Sequence, residues 1–115
     1  MPAEDLERLL ADVQAQNQQL QAIMVQKQTI QLQSRETENA LAEVEKLAAG
    51  DEAFRAVGPI LVKASKADLS KELGYMKEEM DIRLKTLEKQ EKRIKDALQA
   101  SQEKLQSLIK GGGMA

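Results

Sequence analysis

From Leu6 onward the apolar residues of this chain keep an alternating spacing of three and four that suits a narrow, one-sided helix. Leu6, Leu9, Val13, Leu20, Ile23, Ile30, Leu41, Val44 and Ala48 fill nine of the thirteen positions in that register, with Gln16, Lys27, Ser34 and Thr37 as polar interruptions. A heptad repeat of this kind turns two positions in seven toward a partner helix and leaves the rest in water. A second seam runs through Leu73, Met80, Leu84, Leu87, Ile94, Leu98, Leu105 and Leu108, broken by Lys77, Glu91 and Ser101, so eight of its eleven positions are apolar. Composition agrees: 42% of residues are hydrophobic and 31% charged, yet Phe54 and Tyr75 are the only aromatics, which disfavours a globular core.

The predicted first helix covers 4–49. Pro2 with Glu4, Asp5 and Glu7 suits its start, where negative charge meets the positive end of the helix dipole. Gly50 suits its C-terminal cap. The predicted second helix covers 69–110, capped by Asp68 or Ser70, mildly weakened by Gly74 and ended by Gly111-Gly112-Gly113, with 111–115 as a flexible tail. Each helix of about 40 residues reaches roughly 60 Å at 1.5 Å per residue.

Between the seams, residues 51–67 lose the heptad. Phe54–Val57 and Ile60–Ala64 read as two short strands in a β-hairpin over 53–64. Gly58 and Pro59 fill a two-residue turn whose first residue needs positive φ and whose second has the φ of proline. A turn this tight sends the second helix back antiparallel to the first. Counted outward from it, Gln16 falls at the height of Ser101 and Lys27 at the height of Glu91, so the Lys27 head is expected to meet Glu91 while its stem stays packed.

The chain has no cysteine and no histidine, which removes disulfides, thiolate nucleophiles, imidazole bases and nearly all ordinary zinc or copper sites. The remaining acids and bases lie on wet helix faces, and no Gly-rich phosphate loop is present, so neither an enzyme nor a cofactor is expected. The start MPAEDLERLL has no apolar h-region and no run approaches the ~20 apolar residues of a membrane span, so a soluble, untargeted chain is expected. Residues 1–49 carry 4 Lys+Arg against 8 Asp+Glu, and residues 69–115 carry 10 against 8. In the second helix Lys85, Lys89, Lys92, Arg93 and Lys95 alternate with Glu88, Glu91 and Asp96. That is a solvated, ion-paired face without the aromatic platforms that stack bases, so no nucleic-acid partner is expected.

An isolated two-stranded hairpin is marginal in water and exposes two open edges. Phe54, Val57, Ile60, Leu61 and Val62 therefore read as an assembly surface, with hairpins of several chains joining into a shared barrel or sheet; the alternative is that the hairpin folds back onto its own helices. At the other end of the antiparallel pair, Leu6, Leu9, Leu10 and Val13 lie beside Leu105, Leu108 and Ile109. Leu10 and Ile109 fall at e positions and exceed what a two-stranded seam requires, which leaves surplus apolar surface at this end.

The stretches QNQQLQ and VQKQTIQLQSRETENALAEVE, the hairpin FRAVGPILVKAS followed by KADLSKEL, and LKTLEKQEKRIKDAL together resemble the beta-type subunits of the prefoldin family over residues 4–110. The single hairpin favours the beta type, since alpha-type subunits have two. Phe54 stands where the family commonly has Tyr, and the GGGMA tail is individual. The resemblance implies an all-α fold with a small β element, a long antiparallel two-helix coiled coil joined by a hairpin that oligomerises into a β-barrel platform. It further implies a cytoplasmic hexamer of two alpha-type and four beta-type subunits that holds unfolded clients at its coiled-coil tips without nucleotide and passes them to a group II chaperonin. A structural adaptor or spacer without client-holding activity shares every one of these sequence features except the use of the tips.

Overall fold

The computed structural model describes residues 3–112. It contains α1 (Ala3–Glu45), β1 (Ala53–Val57), β2 (Ile60–Ala64) and α2 (Lys66–Gly112). The expected Pro2 start and the residues from Gly113 onward lie outside the described range. Gly111 and Gly112, expected in the tail, continue α2 instead. Contacts group the chain into two bodies, Thr29–Lys85 and the described parts of 1–28 with 86–115.

In the Thr29–Lys85 body, β1 and β2 pair antiparallel from Ala53↔Ala64 to Val57↔Ile60. Gly58 takes φ +56°, which closes the Gly58-Pro59 turn in the expected way. α1 ends at Glu45, four residues short of the expected 49, because the next residues find local partners. The Lys46 and Leu47 amides donate to Glu43 and Val44 carbonyls at 3.2 and 3.1 Å, tightening the last turn. Beyond it, the Ala48 amide donates to Asp51 Oδ2 at 2.7 Å and the Asp51 amide to the Ala48 carbonyl at 3.1 Å. Gly50, with φ +94°, sits inside this turn and not at the helix cap. Ala48 consequently leaves the seam and Leu47 is half-buried in its place.

The last turn of α1 holds no basic residue. Lys66 Nζ supplies the charge from α2, donating to the carbonyls of Glu45 at 3.1 Å and Leu47 at 2.8 Å, where a cation favours the negative helix end. α2 starts earlier than expected because Ser65, not Asp68 or Ser70, is its N-cap: Ser65 Oγ accepts the Asp68 amide at 3.1 Å. Ser70 Oγ is engaged elsewhere, donating to Glu45 Oε1 at 3.2 Å. These links run antiparallel, as does the 3.1 Å pair between Lys77, a polar seam position, and Glu38. Thr37 is buried in the seam and donates its hydroxyl to the Gln33 carbonyl of its own helix at 2.9 Å.

In the other body the seam is again antiparallel. Ile23 and Leu87 are buried, and Leu6, Leu9, Val13, Leu20, Ile94, Leu98, Leu105 and Leu108 are half-buried. Lys27 Nζ lies 3.2 Å from Glu91 Oε1, with the two side chains only 20% and 16% exposed, so the expected pair forms. Lys95 adds a longer 4.0 Å contact to the same carboxylate. Gln16 is less well served: its side-chain oxygen is buried with no hydrogen-bond donor among the described residues.

Two stability predictions follow from these contacts. Lys27→Leu leaves a largely buried carboxylate with only the 4.0 Å contact to Lys95 and lowers stability by about 1–3 kcal/mol. Lys27→Leu with Glu91→Leu removes both charges and melts at or above the parent temperature in helical circular dichroism, since an apolar pair replaces a desolvated one. Gly74 lies inside α2 with no atom within 4 Å of where a Cβ would sit. Gly74→Ala therefore raises stability by about 0.5–1 kcal/mol, read as a higher denaturant midpoint.

Candidate assembly and binding surfaces

Alternation along the two strands gives the hairpin two faces. Ala53, Arg55 and Val57 stand across from Ala64, Val62 and Ile60 on one; Phe54 and Ala56 stand across from Lys63 and Leu61 on the other. Ala64 is buried, and Ala53 and Arg55 are half-buried, so the base of the first face packs against its surroundings. The remaining apolar side chains do not. Phe54, Val57, Ile60, Leu61 and Val62 are between 40% and 73% exposed, so the hairpin does not close over its own helices. The sheet has two strands only, leaving the outer edge of each unpaired among the described residues. Five exposed apolar side chains and two open edges within twelve residues form a surface that water opposes and a second sheet would complete.

The second candidate surface lies where the first turns of α1 meet the last turns of α2. Leu9 and Leu108 line an open groove of about 440 Å³, rimmed by Asp5, Arg8, Asp12, Lys104 and Ser107. Leu6, Val13 and Leu105 are half-buried in the seam rather than in this groove. Leu10 and Ile109 are 50% and 55% exposed, outside the seam. The apolar set named from the sequence thus divides into groove, seam and surface. The charged rim was missed because periodicity registers only the apolar stripe.

Also missed were Met24, Val25 and Leu32 on α1 and Tyr75, Met76 and Ile82 on α2, all large and exposed. The signal was present: Val25 and Leu32 are seven residues apart, as are Tyr75 and Ile82, and both pairs lie off the seam. Beside Tyr75, the Lys71 ammonium stands 6.0 Å from the ring centroid, a cation–π contact. On the outer face of α2, Lys92 pairs with Asp96 at 3.5 Å and Gln99 donates to Glu103 at 3.4 Å. Among the described residues no group of acidic side chains could hold a metal ion, and no helix is long and apolar enough to cross a membrane.

The family model described as prefoldin subunit matches residues 7–112. The prefoldin subunit beta of Archaeoglobus fulgidus is 40% identical over 104 residues, covering 90% of each chain. That of Thermococcus onnurineus is 34% identical over 105 residues, covering 91% of this chain and 90% of the relative. Among solved structures, the crystal structure of the prefoldin beta subunit from Thermococcus strain KS-1 superposes with a TM-score of 0.86 at 32% identity, covering 91% of this chain and 92% of that one.

Proposed function

Because the chain belongs to the prefoldin family of co-chaperone subunits and is of its beta type, we propose that it works without nucleotide, holding unfolded proteins at the ends of its helices. In this reading four copies join two alpha-type subunits in the cytoplasm. Their hairpins form a common β-barrel platform, and bound clients pass to a group II chaperonin. No catalytic step and no cofactor are part of this activity.

The observation that carries the proposal is the hairpin, whose five large apolar side chains remain exposed on a sheet with both edges open. A shared barrel buries those side chains and pairs those edges in one step. For client binding, the support is the mixed character of the helix ends. Leu10 and Ile109 are exposed, and Leu9 and Leu108 line a groove with a charged rim. Such a surface offers an unfolded chain apolar contact without a demand for sequence, and weak contacts repeated on several copies combine through effective concentration.

Two measurements test the two halves separately. Ile60→Asp, across from Val57, places an unpaired charge in the closed barrel at a cost on the order of 3 kcal/mol or more per chain. Mixed with an archaeal alpha-type subunit it is expected to give only small species by mass measurement, with helical circular dichroism retained; intact hexamers from this variant rule out the platform. Removing residues 1–10 together with 105–115 is expected to leave the oligomer intact and to abolish suppression of light scattering by a refolding client. Full protection by that truncated oligomer moves client binding to another surface, and failure of the intact full-length oligomer to protect favours the adaptor reading.

A further inference from the structure

The hairpin joins α1 through residues 46–52, which lack helix and strand, and α2 through Ser65 alone. On the face that carries Arg55, burial declines from Ala64 at 8% to Ile60 at 59%, so apolar packing holds the base of the hairpin and leaves its outer half without support. Midway along this face, Arg55 Nη1 stands 2.7 Å from Glu72 Oε1 on α2. Lys63, the other strand cation, pairs at 3.6 Å with Glu52 in the loop before β1 and reaches no helix. Among the described residues, Arg55–Glu72 is therefore the ion pair that ties a strand to a helix.

We infer that the Arg55–Glu72 pair positions the hairpin for assembly, fixing its tilt on α2 so that its open face and edges are presented at the angle a neighbouring subunit requires. The inference rests on the platform reading above and adds the residues that set the platform's geometry. As a source of stability the pair is unpromising. Its side chains are 38% and 42% exposed, where ion pairs contribute little, and Arg55 Nε is buried with no acceptor among the described residues. What it does provide is direction, because the short contact from Nη1 to Oε1 fixes one point of the strand against α2. Direction matters more in a closed ring than in a monomer. A tilt error repeated at each subunit accumulates around the ring and prevents closure.

The experiment compares Arg55→Glu, Glu72→Arg, the double reversal and Arg55→Met, each mixed with an archaeal alpha-type subunit, with Ile60→Asp alongside. The readouts are the concentration at half-assembly and the helical melting temperature. Each single reversal is expected to raise the half-assembly concentration about tenfold, and the double reversal to return it to within about threefold of the parent. Arg55→Met keeps the packing and loses the direction, so it is expected to melt like the parent while assembling less readily. Single variants that assemble as the parent does overturn the inference. So does a double reversal no better than the worse single, because Arg55 would then act through another partner. If Ile60→Asp also assembles, the platform itself fails and the positioning role falls with it; if Ile60→Asp fails to assemble while the Arg55 variants assemble normally, the positioning role alone is lost.

Discussion

The reversal at Gly58-Pro59 turns the chain back on itself, so that residues of α2 meet residues of α1. The reversal depends on one backbone conformation, φ +56° at Gly58, which costs glycine nothing and costs other residues roughly 1–2 kcal/mol. Positions on α1 then find counterparts on α2 at similar, though not identical, distances from the turn. Lys27 meets Glu91, Glu38 meets Lys77, and Glu45 meets Ser70. Of the polar interruptions in the heptads, Lys27 and Glu91 bond one another, and they oppose a register that would part them.

The same arrangement decides where apolar surface is left over. A two-stranded seam covers one stripe on each helix, and its leucines are mostly half-buried because two helices cannot enclose them. The hairpin has no partner layer, so Phe54, Val57, Ile60, Leu61 and Val62 stay open, and the helix ends keep Leu10 and Ile109 outside the seam. On the proposed function these exposed patches are working surfaces rather than defects. One kind of surplus suits a partner with a matching sheet and the other a partner with no structure at all. The joint between hairpin and helices is then where a change at Arg55 or Glu72 is expected to reach assembly without disturbing the coiled coil.

The seams, the strands, the turn and the Lys27–Glu91 pair were all legible in the sequence because each follows from counting: heptad intervals, two-residue alternation, and distance from a turn. What counting could not reach was local competition. Asp51 binds back to Ala48 and stops α1 at Glu45, and Lys66 replaces the basic residue that α1 lacks in its last turn. Ser65 takes the N-cap from Asp68 and Ser70 because β2 ends one residue before it, a boundary no propensity resolves. Equal height did not guarantee a bond either, since the Gln16 oxygen is buried without a donor. At the helix ends the apolar residues were legible as a set, but their division among groove, seam and open surface depends on side-chain packing at the last turns.

On the proposed function the chain divides into an assembly element and a binding element, and amide hydrogen exchange reads both in one sample. The chain is compared free at low concentration, assembled with an archaeal alpha-type subunit, and assembled in the presence of a chemically unfolded client. The expected result is strong new protection of residues 53–64 on assembly, followed by slowing confined to residues 3–13 and 102–112 when client is added. Unchanged exchange in the hairpin on assembly, or client-dependent slowing that falls in the hairpin or the middle of the helices, contradicts it.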